Sequence, residues 1–271
     1  MRSKNGRTTK DGIRIYEQAD FTGMHAAGAV AAKILDDIAA HVFVGQTTGE
    51  IDRVITQMVE DAGAVSATIG YKGYQHASCI SINHVVCHGI PGDKKLKDGD
   101  ILNIDVTVIV DGWYGDTSRM YVAGKMPRKA ERLVQITHDA LMKGIEMVKP
   151  GNTFGDIGHA IQSYAESQRV SVVRDFCGHG LGQVFHAPPN VLHYGRPGTG
   201  PVLEEGMFFT IEPMLNLGRP ETKVLADDWT AVTRDKSLSA QFEHSVGVTA
   251  DGVEIFTLSP GGRFHPTYEV E

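Results

Sequence analysis

Apolar residues recur at helical spacing along residues 13–44, at Ile15, Met24, Ala27, Val30, Ala31, Ile34, Leu35 and Ile38, and predict one long helix. The pattern breaks at Gly45-Gln46-Thr47-Thr48-Gly49-Glu50-Ile51, where Thr48 is the expected N-cap of a second helix ending near Ala62. Residues 126–148 repeat the long-helix pattern and stop at Pro150-Gly151, and another helix is expected from there to about Arg169. The segment Gly151-Asn152-Thr153-Phe154-Gly155-Asp156-Ile157 matches residues 45–51 as Gly-x-Thr-x-Gly-acid-Ile at an offset of 106 residues. β-rich sequence follows each helix pair, at 66–123 and 170–257. The chain therefore reads as a duplicated α-α-β unit, with repeats at about 13–123 and 126–257 folding as one α+β domain over residues 13–260. A basic tail (1–12) and a C-terminal tail (261–271) flank it.

Within the first half, Ile101 to Val110 is rich in β-branched residues, as a mostly buried strand is. Asp111-Gly112 signals a two-residue turn, and Trp113 onward reads as the returning strand. That register pairs Val110 with Trp113, Ile109 with Tyr114 and Thr107 with Asp116. Asp105 shares a face with Thr107, so Asp105 and Asp116 become diagonal neighbours. Two carboxylates pointing together from an apolar hairpin repel unless something positive lies between them. A metal ion fits that place better than a surface lysine or arginine does.

Ligand sites often form between two such halves, so the second half should complete the set. Glu212 lies in the strand-like run Met207-Phe208-Phe209-Thr210-Ile211, and Glu243 follows Ser239-Ala240-Gln241-Phe242. His179 stands among glycines in Cys177-Gly178-His179-Gly180. Each alone is weak, since a lone strand glutamate usually pairs with a cation and a lone histidine is usually structural. Together the four carboxylates and one imidazole balance two divalent cations, and this donor set suits Mn, Fe, Co or Zn.

Composition narrows the rest. A net charge of −7 argues against general nucleic-acid affinity. The local exception, residues 219–236 with Arg219, Lys223, Arg234 and Lys236, reads first as a solvated loop. No run approaches the roughly 18 apolar residues of a membrane span, and no secretory signal opens the chain. Cys79, Cys87 and Cys177 form neither a disulfide framework nor a zinc-finger spacing, which points to a reducing, cytoplasmic compartment. Nothing orients Cys79 or Cys87 with a base. Gly-x-Ser-x-Gly and His-Glu-x-x-His are both absent, so serine hydrolase and zincin readings fall away.

The phrases Ser81-Ile82-Asn83-His84-Val85-Val86-Cys87-His88-Gly89-Ile90-Pro91, Gly115-Asp116-Thr117-Ser118, Thr210-Ile211-Glu212-Pro213-Met214 and Leu238-Ser239-Ala240-Gln241-Phe242-Glu243-His244 carry a family resemblance. With Cys177-Gly178-His179-Gly180 and the strand to Asp105, they make the chain similar to the type I methionine aminopeptidases, of the bacterial type, from about residue 12 to 258. The resemblance implies the pita-bread fold of the M24 metallopeptidases, with two pseudo-symmetric halves around a curved antiparallel sheet. It implies a dinuclear centre in which Asp116 and Glu243 bridge both metals, His179 and Glu212 complete one, and Asp105 completes the other. It further implies catalytic roles for His88, His186 and Glu212, and a methionine pocket from Tyr71, Tyr74, Cys79, Phe185 and Trp229. A sodium or potassium ion near Asn83, Val85 and Ser239 is a further implication. Departures from the family pattern are His84, Thr68 and Ala187-Pro188, none of them a metal ligand.

The expected function is removal of the N-terminal methionine from nascent proteins and peptides whose second residue is small. The enzyme should be monomeric and touch the ribosome only transiently. Two rivals stand beside it. One is an Xaa-Pro aminopeptidase or prolidase of the same fold, for whose extra N-terminal domain a first repeat beginning by residue 15 leaves no room. The other is a fold relative that only binds peptides, which the intact ligand set disfavours.

Overall fold

A computed structural model describes residues 7–264 and 266 of the chain; the remaining parts of the two expected tails lie outside the described residues. Helix α1 (Gln18–Asp37) begins later than its apolar pattern does. Glu17 and Asp20 close a capping box there, with the Asp20 carboxylate accepting the Glu17 N–H at 2.9 Å. Ile13 and Ile15 precede it in extended chain, where the Tyr16 N–H donates to the Gly206 carbonyl at 2.8 Å. A 3-10 turn (Ile38–His41) ends the run.

The cap of α2 (Thr48–Asp61) is Thr47, not the expected Thr48. The Thr47 hydroxyl accepts the Glu50 N–H, and the Glu50 carboxylate accepts the Thr47 N–H. Thr48 instead exchanges two hydrogen bonds with the backbone of Gly92. Helix α3 (Arg128–Ile145) follows Pro127, and α4 (Phe154–Ser167) opens on Thr153 and Asp156 in the same reciprocal box. The repeated seven residues are thus two capping boxes. Each is preceded by a glycine at positive φ, Gly45 at 93° and Gly151 at 91°, where a side chain would be strained.

The strands are β1 (Val65–Ser66), β2 (Ser78–Ile82), β3 (Val85–Cys87), β4 (Ile101–Val110), β5 (Trp113–Val122), β6 (Ser171–Val172), β7 (Gly178–Gly180) and β8 (Ala187–Val191). They continue as β9 (Phe208–Ile211), β10 (Met214–Asn216), β11 (Thr222–Val224), β12 (Ala231–Thr233), β13 (Ser239–Gln241), β14 (His244–Val248) and β15 (Val253–Ile255). Every pairing between these strands is antiparallel. The first half is built on β4, flanked by β2 and β5; the second on the order β15-β14-β9-β7-β8. The stretch read as a basic loop contains the β11–β12 hairpin, whose β12 crosses over to pair with β3.

Two large apolar cores, with two smaller clusters beside them, back these sheets. One gathers Ala31, Leu35, Ile51, Ile55, Leu102 and Ile104, the other Leu133, Leu141, Ile157, Ile161, Phe209 and Ile211. Helix α1 lies so close to β5 that a Cβ on Gly115 would stand 2.3 Å from the Ala27 carbonyl oxygen. Buried polar ties stitch the halves together. Asn103 Nδ2 donates to the Gln241 carbonyl at 2.9 Å, Thr117 Oγ1 to the Glu243 carbonyl at 2.7 Å, and Ser245 Oγ to the Asp116 carbonyl at 2.6 Å.

Candidate active site

The β4–β5 ladder has the register read from the sequence: Thr107 opposes Asp116, Ile109 opposes Tyr114, and Asp105 opposes Ser118. Asp105 and Asp116 are therefore diagonal on one face. The second half meets them there. Ser118 bridges to Glu243 just before β14, Glu212 follows β9, and His179 sits on β7. All five expected ligands line one cavity of about 810 Å³.

Ligand atoms of Asp116, His179 and Glu243 all lie within 4.8 Å of one another. His179 Nε2 stands 3.5 Å from Asp116 Oδ2 and 3.7 Å from Glu212 Oε1. Its Nδ1 faces the Gly180 carbonyl at 3.2 Å, and a carbonyl only accepts, so Nδ1 carries the ring proton. In the neutral ring the Nε2 lone pair then points at two carboxylates, an arrangement that a cation resolves. Burial lowers the basicity of His179, but the Asp116 hydrogen bond and the Glu212 charge outweigh it and raise its pKa overall.

The carboxylates show the same unmet charge. Burial first, then the charges of Asp116 and Glu212, push Asp105 well above its ordinary range. Burial and the charges of Asp116, Glu212 and Asp105 do the same to Glu243. Glu212 rises to about 7, chiefly through burial, with His179 and a Thr210 hydrogen bond opposing. Buried carboxylates gathered around one imidazole are the oxygen and nitrogen donors that a divalent cation takes, and the residues fit a divalent metal centre.

Hydrogen bonds from around the cluster aim these groups. Thr107 Oγ1 donates to Asp116 Oδ1 at 2.7 Å, which leaves Oδ2 facing His179. Thr210 Oγ1 donates to Glu212 Oε1 at 2.7 Å and accepts the His179 N–H at 3.0 Å. Gln241 Nε2 reaches Glu212 Oε2 at 3.3 Å, and the Glu212 N–H donates to the buried His193 Nε2 at 3.0 Å. Sequence reading did not single out Thr210, Gln241 or His193. The alternation rule would have found Thr210, two residues before Glu212 on the same face. His193 had no such signal.

The cavity wall is aromatic. Tyr71 stacks on His186 at 5.2 Å and tilts against Phe185 at 4.9 Å, while His186 lies 4.1 Å from the His179 ring. Tyr74 meets Trp229 at 4.9 Å. His88, at φ 57°, presents its ring edge-on to Phe176 and Trp229. Cys79 sits directly across the ladder from Asp105. Phe176 lines the same wall and was not foreseen. Burial holds His88 and His186 neutral, the second with its pKa near 4. Thr68 gives its hydroxyl proton to the His76 carbonyl at 2.7 Å, and Ala187-Pro188 open β8 at the cavity rim. Asn83 and Ser239 are joined by the Ser239 N–H donating to the Asn83 carbonyl at 2.8 Å, with Val85 nearby at the start of β3.

Two antiparallel halves closing on a buried carboxylate–imidazole cluster suit a metal-dependent enzyme. Residues 22–250 match metallopeptidase family M24, and the chain belongs to that family. It is 58% identical over 257 residues to a methionine aminopeptidase of Rickettsia prowazekii, covering 94% of this chain and 99% of that protein. A crystal structure of methionine aminopeptidase from Rickettsia prowazekii superposes with a TM-score of 0.90 at 58% identity, covering 91% of this chain and all (100%) of that one. A prolidase from Pyrococcus furiosus shares the fold alone, with a TM-score of 0.72 at 20% identity over 90% of this chain and 65% of its own. Among the described residues, no helix is long and apolar enough to cross a membrane.

Proposed function

We propose that the chain removes the N-terminal methionine from peptides and nascent proteins whose second residue is small (Gly, Ala, Ser, Thr, Pro, Val or Cys). The observation that carries this reading is the buried cluster of Asp105, Asp116, His179, Glu212 and Glu243 on an aromatic-walled cavity, in a chain 58% identical to a methionine aminopeptidase. In this reading Asp116 and Glu243 would serve both of two divalent cations drawn from Mn, Fe, Co or Zn. His179 and Glu212 would help hold one, and Asp105 the other. When bound, the cations lower the pKa of a water molecule towards neutrality and polarise the scissile carbonyl.

The chain's own groups do the rest. Glu212 takes the proton of the attacking water and returns it to the leaving amine, its oxygens steadied by Thr210 and Gln241. His186 donates to the scissile carbonyl and His88 contacts the amide of the second residue, both tied to aromatic neighbours that fix their rings. The methionine side chain packs among Tyr71, Tyr74, Cys79, Phe185 and Trp229, where a flexible thioether meets rings and sulfur favourably. Crowding at His88 restricts the second residue to small types. The free α-amine sits on the Asp105 side, which confines cleavage to the terminal residue.

Asn83, Val85 and Ser239 hold a sodium or potassium ion through backbone carbonyls. The enzyme acts as a cytoplasmic monomer and touches the ribosome only transiently. The test is methionine release from Met-Ala-Ser and Met-Lys-Ser by chelator-stripped protein before and after Mn is added. Release from the first peptide alone, and only with metal, is expected. No release with two metals bound would overturn the reading and turn attention to an Xaa-Pro peptide panel.

A further inference from the structure

Trp229 reaches the cavity from the tip of the β11–β12 hairpin, a segment that has left the second half and crossed to the first. The tip is closed by the Leu225 N–H donating to the Thr230 carbonyl at 2.9 Å. Inside it the Asp228 N–H donates to the Leu225 carbonyl at 3.1 Å, and one side chain adds three further bonds. Asp227 Oδ1 accepts the N–H of Trp229 at 3.0 Å and that of Thr230 at 2.8 Å, while Oδ2 accepts the Thr230 hydroxyl at 2.7 Å. Between them Asp228 takes a left-handed conformation at φ 60°, which aspartate tolerates better than most side chains. Val224 and Leu225 are exposed, so little apolar packing restrains the tip. The carboxylate is its lock.

The locked turn sets Trp229 against Tyr74 at 4.9 Å and 56°, and against His88 at 6.1 Å and 81°. Asp227 is itself exposed and lies outside the cavity lining, so any influence on the site passes through the indole. We propose that Asp227 is a positioning residue for specificity: its carboxylate fixes the turn so that Trp229 closes the wall that the substrate's first side chain packs against. The choice of substrate side chain, methionine, rests on the proposed function; the locking of the indole does not.

The test places Asp227→Ala and Asp227→Asn in a Trp113→Phe background, which leaves Trp229 as the chain's single tryptophan. Acrylamide quenching of Trp229, the affinity for L-methionine read from its emission, and steady-state kinetics on Met-Ala-Ser are measured with Mn present. For Asp227→Ala we expect stronger quenching and a KM raised about tenfold with kcat unchanged, the sign of lost uniform binding. Asp227→Asn keeps an oxygen for the two backbone donors and should restore both readings. Unchanged quenching in Asp227→Ala overturns the proposal, as does stronger quenching with KM and methionine affinity unaltered. If the parent protein releases no methionine, the proposed function fails. Weaker L-methionine binding by the alanine than by the asparagine variant then still supports the positioning role, and equal binding overturns it.

Discussion

The two halves of the chain open alike and close differently. Gly45, Thr47, Glu50 and Ile51 recur as Gly151, Thr153, Asp156 and Ile157, each set forming a capped helix start with a fully buried isoleucine. Farther on, Gly99 at φ 86° recurs as Gly206 at φ 87°, donating to Ala123 in one half and Val248 in the other. The strands that follow place Asp105 and Glu212 at corresponding positions. There the halves part. In the first, β4 runs on unbroken into a two-residue turn and returns as β5. In the second, the strand breaks at Glu212-Pro213, and residues 213–242 wander through β10 to β13 before Glu243 arrives.

The continuous hairpin supplies two aspartates with a rigid register. The interrupted half supplies the longer glutamates, and the excursion between them delivers Trp229 to the first half's wall. Proline suits that break, having no N–H to give to a ladder. The difference teaches that one half is built for stiffness and the other for reach, with the proposed metal ligands drawn from both.

The strongest way to break this picture is to remove one proposed bridging ligand from each half. Asp116→Ala and Glu243→Ala should each lose metal and peptidase activity together, by roughly a thousandfold, since several kcal/mol of metal-derived stabilisation disappears. Retained activity in either, with metal content measured alongside, would show that the halves do not share the centre. One step smaller, His88→Ala and His186→Ala compare a histidine from each half. Each should lower kcat by about a hundredfold with metal content unchanged, within the range for a positioned proton-transfer or hydrogen-bonding group. An unchanged kcat would make that histidine a packing residue.

The corresponding pair Asp105 and Glu212 offers a sharper, metal-free comparison. Glu212 has its pKa raised to about 7 by burial, against 4.5 for an ordinary glutamate, so the folded chain keeps a proton that the unfolded chain releases. Stability from this group is complete below pH 4.5 and is lost as pH rises through about 7, by about 1.4 kcal/mol per pH unit. Asp105 is raised in the same direction. Chelated Glu212→Gln and Asp105→Asn should therefore melt higher than chelated wild type at pH 8 and alike at pH 4. Lower melting of either at pH 8 would contradict the account of unmet charge. The smallest effect is the most symmetric. Thr47→Ala and Thr153→Ala should each cost about 1 kcal/mol and a few degrees of Tm, and add in the double variant. Markedly unequal costs would mean the two caps are not equivalent.

How much could be read in advance follows the same division. The β4–β5 register was legible because both strands and their turn are contiguous, so an Asp-Gly pair and alternation suffice to place Asp116 near Asp105. Glu212 and Glu243 stood out only as acids in apolar runs. Their meeting depends on β9 pairing with β14 across an excursion that no local rule describes. Helix starts were misjudged where caps are ambiguous. Thr47 and Thr48 are adjacent candidates that only the position of Glu50 separates, and Glu17 caps α1 through Asp20, a partnership hidden behind the apolar residues upstream. His193, Gln241 and Phe176 were invisible because what gives them meaning is a contact across the fold.

The most direct measurement is a crystal structure of the Mn-loaded protein with anomalous scattering recorded at the Mn edge. The account predicts two anomalous peaks, both within bonding distance of Asp116 and Glu243, one also touching His179 and Glu212 and the other Asp105. A single peak at full loading, or two peaks that each contact carboxylates from only one half, would contradict a centre shared between the halves.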